Sequence, residues 1–367
     1  MAMERQERID LLKEYMAIPR LSGYEKEMAV RFQADLAPYS DRCVIDKVGN
    51  VIATINGTDP EAPSLMVFAH MDTIGFIITT IDDNGFIKVD RMGGIPEKIV
   101  SATAVLVGDE DGGYHNGLIA AKSYHVQTPE EKSKADSLAT MFIDVGASSR
   151  QEVNDMGIHV GCPVVYAPRC MMLGQDRICG SYLDDASGMV TMLEVARYLK
   201  ENPPQATVHL VGTVWEEFNA RGAMMAARTA KTDMAICLLG PGAGDTPDQK
   251  GMNNVVLGGG PGVTLFNFHG KGTLNGNVAH KGMFELLKRS AKEQGISIQR
   301  HAGRGALSDT AYIQLEGEGI PCLDMGCPDR YSHSMLECLS LTDHQQTGQL
   351  LCAFISNLTA QFDTNRY

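Results

Sequence analysis

A short apolar run that ends in a histidine and an aspartate is the feature of this chain that most limits its fold. Residues 65–69 (LMVFA) are all apolar, and His70 and Asp72 follow them directly. Such a run is typical of a strand buried on both faces of a parallel sheet. Ligands gather at the carboxyl ends of strands in open α/β sheets, so a histidine there can bind a metal and the aspartate can orient its ring. Alone, the pair is equally consistent with a strand that ends in polar residues.

Apolar strands that alternate with amphipathic helices predict an α/β fold for most of the chain. Strands are expected at residues 206–214, 234–239, 297–299 and 320–325, and helices at 4–18, 187–198, 221–230, 310–315 and near 350–358. A hairpin is expected between residues 44 and 55. The alternation predicts a mainly parallel sheet with helices on both faces.

The pattern changes between residues 73 and 172, where short β-like runs are separated by Gly, Asp and Asn turns. Only residues 129–139 and 149–156 look helical there. Many short strands with frequent turns predict a small β-barrel or sandwich. We therefore expect two domains: an α/β catalytic domain formed by residues 1–72 and 173–367, and an inserted β domain at 73–172.

Composition excludes several classes of function. The formal net charge is −13 and no Lys/Arg-rich run offsets it, which argues against a nucleic-acid partner. No stretch of about 18 apolar residues occurs, so no membrane partner is expected, and the charged N-terminus lacks the apolar core of a signal peptide. Nine scattered cysteines without a Cys-x-x-Cys pair indicate no zinc ribbon or thioredoxin-type site. We expect a cytoplasmic protein with reduced thiols.

Two acidic pairs lie next to predicted elements. Glu216 and Glu217 follow an apolar strand, and Asp184 and Asp185 precede a helix. Adjacent carboxylates raise one another's pKa unless a cation neutralises them. A hydrolytic metal site gives each glutamate a role, one as a ligand and the other as the base that deprotonates the attacking water. The alternatives are an exposed acidic turn for the glutamates and a helix N-cap for the aspartates.

A second histidine, His333, follows the strand expected at 320–325, and Asp309 lies in a loop upstream. A loop histidine is usually a surface residue. As the last member of a His, Asp, Glu, His set at strand ends, however, it becomes a candidate metal ligand. No Gly-x-Ser-x-Gly elbow occurs, which argues against a serine hydrolase. The glycine-rich segments 258–262 and 270–273 do not match the spacing of a phosphate-binding loop.

These motifs together resemble the tetrahedral aminopeptidase family, which includes glutamyl aminopeptidases and proteins once labelled endoglucanases. The resemblance spans nearly the whole chain. It rests on matches at 69–75 (AHMDTIG), 81–85 (IDDNG), 92–94 (MGG), 142–148 (FIDVGAS), 183–185 (LDD), 215–217 (WEE), 221–223 (RGA), 243–247 (AGDTP) and 330–334 (RYSHS). It implies a phosphorylase/hydrolase-like α/β domain interrupted by a PDZ-like β domain, in agreement with the predicted insertion.

The resemblance also implies peptide substrates that lose their N-terminal residues, and two divalent metal ions per subunit, usually zinc or cobalt. By position, it implies that His70 binds the first metal, that Asp184 bridges the two metals, and that Glu217 and His333 bind the second metal. It also implies that Glu216 is the general base and that Asp72 orients His70. A homo-oligomer, from a dimer up to a dodecamer, is implied as well, and we expect the inserted domain to carry its contacts.

One ligand implied by the resemblance is missing. The family has an aspartate six residues before the aspartate of its Ala-Gly-Asp motif, and Leu239 stands there relative to Asp245. A leucine cannot bind a metal. The first metal would keep only His70 and the Asp184 bridge unless Asp245 or Asp233 reaches the site. One metal ion per subunit is therefore an alternative to two.

The leading prediction is a metal-dependent aminopeptidase-like hydrolase, in which Glu216 deprotonates the water that attacks the scissile carbonyl. Two alternatives stay open. One is a deacylase that acts on another small amide. The other is a non-catalytic binding protein, which Leu239 favours and the intact glutamate pair opposes. A glycosidase is disfavoured, because its two carboxylates must face each other across the glycosidic bond.

Overall fold

The computed structural model describes residues 3–270 and 276–366. Residues 271–273 of the second glycine-rich segment therefore lie outside the described part of the chain. The helices are α1 Arg5–Ala17, α2 Lys26–Leu36, α3 Arg150–Asp155, α4 Leu183–Glu201, α5 Gly222–Ala230, α6 Lys281–Gln294, α7 Thr310–Ile313 and α8 Leu341–Ser356. The strands are β1 Arg42–Ile45, β2 Val51–Ile55, β3 Leu65–His70, β4 Gly75–Ile81, β5 Ile87–Met92, β6 Thr103–Gly108, β7 Tyr114–Ile119, β8 Ile143–Asp144, β9 Pro163–Tyr166, β10 Cys170–Leu173, β11 Arg177–Gly180, β12 Val208–Thr213, β13 Met234–Cys237, β14 Gly262–Phe268, β15 Gly276–Val278, β16 Gln299–Arg304, β17 Cys322–Gly326, β18 Asp329–Arg330 and β19 Glu337–Ser340.

The main sheet is built around β3. Its order is β1-β2-β12-β3-β13-β17-β14-β15, and β16 pairs with β14. The central strands β12, β3, β13 and β17 are mutually parallel, whereas antiparallel pairs lie toward both margins. All residues of β3 are buried, as expected for a strand between two parallel neighbours. The mainly parallel α/β sheet predicted from the sequence is confirmed, and so is the β1–β2 hairpin.

Helices cover both faces of this sheet. Successive side chains of β3 point to opposite faces, so β3 contributes to a hydrophobic core on each side. Leu65, Val67 and Ala69 pack in the larger core with residues of α1, α2, α4, α6 and α8. Met66 and Phe68 pack on the other face in a smaller core that includes alanines of α5 and Ile313 of α7. Both sides of the central strand are therefore closed to solvent, and only its carboxyl end faces a cavity.

A closed antiparallel barrel, in the order β4-β5-β8-β7-β6-β9, follows β3 in the chain. It has a separate hydrophobic core, in which the rings of Phe76 and Tyr166 meet edge to face with their centroids 5.7 Å apart. The structure thus has a barrel rather than a sandwich. We propose residues 73–172 as the bounds of this inserted domain, since all its barrel strands lie within them.

Several short elements differ from the prediction. The helix expected at 129–139 is only a 3-10 turn at Glu131–Ser133, and the strand expected at 297–299 is β16, which runs from Gln299 to Arg304. The strands β10, β11, β18 and β19 form a small sheet that the sequence pattern did not reveal. These elements have only two to four residues each, which is too short for a periodic pattern to mark them as strands. No helix in the described ranges is long and apolar enough to cross a membrane.

Replacement of Leu193 by alanine tests the packing of α4 against the main sheet. This side chain is 1% exposed, and its loss leaves a cavity that lowers the free energy of unfolding by about 2–5 kcal/mol. Val30→Ala on α2 is the matched control, because Val30 is 53% exposed and its truncation changes that free energy by less than about 0.5 kcal/mol. Urea denaturation at one protein concentration measures both; equal effects would contradict the packing described.

Candidate active site

The carboxyl ends of the central strands open into a cavity of about 940 Å³. β3 ends at His70, and the segment after β12 carries Glu216 and Glu217. Asp184 lies at the start of α4, and His333 lies in the loop between β18 and β19. All five side chains line the cavity. The structure thus brings together residues that are far apart in the sequence, as parallel strands with a common carboxyl edge require.

His70 is held in one orientation. Its Nδ1 lies 2.9 Å from the carbonyl oxygen of Asp72, and its Nε2 lies 2.9 Å from Oδ1 of Asp184. Because a carbonyl oxygen only accepts hydrogen bonds, Nδ1 carries a proton and Nε2 faces the carboxylate. Burial lowers the pKa of His70, but the hydrogen bond and charge of Asp184 outweigh it and hold this pKa well above its usual value.

The two carboxylate oxygens of Asp184 face different histidines. Its Oδ1 faces His70, whereas its Oδ2 lies 3.7 Å from Nε2 of His333. That Nε2 is also 3.5 Å from Oε1 of Glu217, and Nδ1 of His333 donates to the carbonyl of Gly94 at 2.8 Å. Ligand atoms of His70, Asp184 and Glu217 lie within 4.8 Å of one another. These oxygen and nitrogen donors can hold a divalent cation.

Glu216 and Glu217 are both buried carboxyl groups. Burial raises the pKa of Glu216 well above its usual value, and the charge of Glu217 adds to this. Burial raises the pKa of Glu217 in the same way, with Asp184 as the next cause. Several carboxylates in one buried site repel one another unless a cation lies between them. The charge of the site therefore favours an ion as much as its geometry does.

Asp72 holds both sides of the site. Its Oδ1 accepts the backbone N–H of Glu216 at 2.9 Å, and its Oδ2 accepts the backbone N–H of Glu217 at 3.0 Å. The Ser22 hydroxyl donates to the same carboxylate. His70 Nδ1–H donates to the carbonyl oxygen of Asp72 rather than to its carboxylate, whose Oδ1 lies 3.7 Å from the ring nitrogen. The carboxylate thus positions the glutamate pair, and the backbone of the same residue orients the histidine.

Left-handed backbone at non-glycine residues is concentrated around the cavity. Such residues adjoin or belong to the segments that carry the candidate ligands and the glutamates; they are Tyr182, Trp215, Asn219, Ala220, Tyr331 and His333. Each costs on the order of 1–3 kcal/mol and persists only where its surroundings hold it. Glu25 is one such support, because its Oε1 accepts the backbone N–H of Trp215 at 3.3 Å.

Glu337, which was not predicted from the sequence, accepts hydrogen bonds from the backbones of two candidate ligands. Its Oε2 accepts the backbone N–H of Asp184 at 2.9 Å, and its Oε1 accepts that of His333 at 3.0 Å. The side chain is buried, and burial followed by the charge of Asp184 raises its pKa well above the usual value. An acidic residue at the head of an otherwise non-acidic buried strand, β19, is the signal that could have revealed it.

Leu239 lines the cavity, and neither aspartate considered as its substitute reaches the site. Both oxygens of Asp245 accept from the Arg330 guanidinium, at 2.7 and 2.6 Å. Asp233 accepts the backbone N–H of Ser64, just before the amino end of β3, at 2.8 Å. The position implied for the first metal therefore keeps only His70 and Asp184 as donors, and the apolar side chain of Leu239 lines the cavity where the missing aspartate would stand.

The model of the M42 glutamyl aminopeptidase family matches residues 49–350. The chain belongs to this family. The resemblance inferred from the sequence is thereby confirmed, together with the fold class it implied. Aminopeptidases are hydrolases, and metal-dependent hydrolysis is the general activity of the family.

Three similar proteins illustrate the relationship. The putative aminopeptidase SgcX of Escherichia coli (strain K12) is 34% identical over 99% of this chain and 96% of its own length. The solved structure of aminopeptidase APDkam598 from Desulfurococcus kamchatkensis has a TM-score of 0.91 and 32% identity, with 98% of this chain and 97% of that chain covered. The TET1 peptidase of Pyrococcus horikoshii, which can assemble into a tetrahedron or a large octahedral shell, has a TM-score of 0.84 and 24% identity over 95% of this chain and 99% of that chain. At this identity it supports the fold alone.

Glu337→Gln tests the support of the candidate ligands. Glutamine keeps one carbonyl oxygen and loses the second acceptor, so one of the two backbone N–H groups is left without its partner. We expect zinc affinity to fall by about 10–100-fold, as for other losses of ligand support. Titration calorimetry of the metal-free protein measures it. Glu285→Gln, on the exposed side of α6, is the control and should bind zinc as the parent does; an unchanged affinity in Glu337→Gln would contradict the role.

Zinc affinity should rise with pH. Burial, followed by the charge of Asp184, raises the pKa of Glu217, so this candidate ligand keeps its proton to a higher pH than usual in the metal-free protein. A bound ion must displace that proton. Affinity should therefore increase by up to about tenfold per pH unit for each proton released, until the raised pKa is passed. Calorimetry between about pH 6 and 8, in buffers of different ionisation enthalpy, counts the protons; an affinity independent of pH would contradict this.

Proposed function

We propose that this protein is a metal-dependent aminopeptidase that removes N-terminal residues from peptides. The observation that carries the proposal is the group formed by His70, Asp184 and Glu217, whose ligand atoms lie within 4.8 Å of one another beside the buried carboxyl of Glu216. The cavity of about 940 Å³ in which they lie is large enough for a peptide terminus. Membership of the M42 family supports the same activity.

We propose that Asp184, Glu217 and His333 hold one divalent ion, zinc or cobalt. The mixed nitrogen and carboxylate donors suit these ions, and the hydrogen bond from His333 to Gly94 leaves Nε2 free to bind. When bound, the ion polarises the scissile carbonyl and lowers the pKa of water. A second ion between His70 and Asp184 would bind more weakly, because Leu239 supplies no donor. We therefore propose that one ion per subunit is sufficient.

Glu216 is the proposed general base. It takes a proton from the attacking water and returns it to the leaving amine. Burial raises the pKa of Glu216, which makes it a stronger base than an exposed glutamate. The carboxylate of Asp72 fixes the backbone of Glu216, so the base keeps its position during the reaction. In this proposal Asp72 is a positioning residue that contacts neither substrate nor ion.

We also propose a homo-oligomer with contacts on the inserted barrel. Leu118 and Val160 of the barrel region are 58% and 64% exposed, and Met171 to Leu173 form an exposed apolar edge strand, β10, next to it. Large exposed apolar side chains on neighbouring elements often mark an interface. The solved structure of PhTET1-12s, which has the same fold, contains a dodecamer, and this supports an assembly from a dimer up to a dodecamer.

A cytoplasmic location is proposed as well. Cys179, Cys237, Cys322 and Cys338 are buried and form no disulfide, which suits a reducing compartment.

The proposed activity is tested with free and N-acetylated peptides after the protein is loaded with zinc or cobalt. We expect cleavage of the free-amine peptides alone, and loss of cleavage with a chelator. Cleavage of acetylated peptides alone would replace the proposal with a deacylase. No cleavage of either would favour a binding protein, as Leu239 alone suggests.

Glu216→Gln should lower kcat on a cleaved peptide by about 10²–10⁴-fold, because the amide cannot accept the proton of water. Zinc content should stay unchanged, since the proposed ligands are untouched. Glu110→Gln, on an exposed turn of the barrel, is the matched control and should keep the parent rate. Steady-state kinetics and metal analysis provide both measurements; a rate equal to the parent rate would refute the base assignment.

A further inference from the structure

Asp329 is an acidic residue of the cavity that the proposed mechanism does not use. It lies on β18, where it pairs with Leu339 of β19, and both residues line the cavity. The next pair, Arg330 with Cys338, lies on the opposite face of this small sheet. The strand alternation therefore directs the Asp329 side chain toward the cavity.

No ion pair among residues 3–270 and 276–366 involves this carboxyl, although the charge of His333 acts to lower its pKa. The neighbouring Arg330 is committed to Asp245, with which it forms two hydrogen bonds. The side chain of Asp329 bonds instead to that of Ser332, whose hydroxyl is 3.5 Å from Asp184. Burial, followed by the charge of Asp184, raises the pKa of Asp329 to about 7. A cation that enters the cavity would relieve this unpaired, crowded charge.

Apolar residues near Asp329 narrow the choice of cation. Leu339 is its cross-strand neighbour, Cys327 lies two residues before it in the chain, and Leu239 also lines the cavity. An aliphatic stem that ends in a positive charge fits such a surface, because the stem packs on apolar atoms while the charged group meets the carboxylate. Lysine and arginine side chains have this form. Two basic residues of the cavity lining, Arg91 and His269, are exposed.

We propose that Asp329 selects substrates whose N-terminal residue is lysine or arginine, with Leu239 as part of the wall that packs against the side-chain stem. This inference rests on the proposed aminopeptidase function and names its substrate class. Leu239 then has a positive role in recognition, in addition to removing a metal donor. Asp329 contributes to binding of the side chain of the substrate's N-terminal residue and takes no part in proton transfer.

The test compares 4-nitroanilides of lysine, arginine, norleucine and glutamate with the zinc-loaded protein. Norleucine is the matched substrate, because it has nearly the same stem as lysine and no charge. We expect kcat/KM for lysine to exceed that for norleucine by about tenfold, as for a hydrogen bond to a charged group. In Asp329→Asn the value for lysine should fall to that for norleucine, mainly through KM, and the value for norleucine should stay within about twofold.

Two further variants complete the design. Asp329→Glu keeps the charge and should retain part of the lysine preference, and Asp111→Asn, on an exposed turn of the barrel, should keep all of it. If Asp329→Asn does not fold, kcat/KM for lysine and norleucine is compared in the parent protein, and equal values would overturn the proposal.

The outcomes separate this inference from the proposed function. No cleavage of any anilide would overturn the aminopeptidase proposal itself. Cleavage with norleucine or glutamate equal to or above lysine would overturn the role of Asp329 and leave the activity standing. An equal loss for lysine, norleucine and glutamate in Asp329→Asn would also overturn it, because the residue would then hold the α-ammonium group common to all four substrates.

Discussion

Mutual repulsion among buried carboxyl groups is the constraint on which the site depends. Burial and neighbouring negative charges raise the pKa values of Glu216, Glu217 and Glu337 in the metal-free protein. Burial raises the pKa of Asp184 as well, but the hydrogen bond and charge of His70, followed by the charge of His333, outweigh it and lower that pKa. The main sheet makes this crowding possible, because its parallel strands end at one edge and its helices close both faces. A cation at this edge removes the repulsion, so the proposed chemistry and the stability of the loops depend on the same ion.

The sequence was sufficient for the residues that follow buried strands. The apolar run before His70 and that before Glu216 each mark a strand, and a polar residue directly after such a strand must lie at the edge of the sheet. Asp184 and His333 were candidates from the residues as well, but a helix start and a loop histidine have ordinary explanations, and their separate roles came from the resemblance to a family. The fold class and the barrel insertion were also correct, because both show in the periodicity of long segments.

Other parts of the site were beyond sequence reasoning for physical reasons. Glu337 acts through backbone N–H groups of residues that are distant in the chain, and no side-chain pattern records such contacts. Asp72 was expected to orient His70 through its carboxylate, but the carbonyl makes that hydrogen bond. Asp329 gained its meaning only when the pairing of β18 with β19 fixed the direction of its side chain. Short, partly exposed strands leave too weak a pattern for such geometry to be predicted.

The hydrogen bond from His333 to Gly94 joins the two structural units at the candidate active site. Gly94 follows β5 of the barrel, whereas His333 belongs to the loop after β18. A ring nitrogen that must keep its orientation is therefore held by a part of the chain with a separate hydrophobic core. A movement of the barrel relative to the main sheet would change the position of this ring. Contacts that fix the barrel within an assembly would therefore also fix the geometry of a candidate metal ligand.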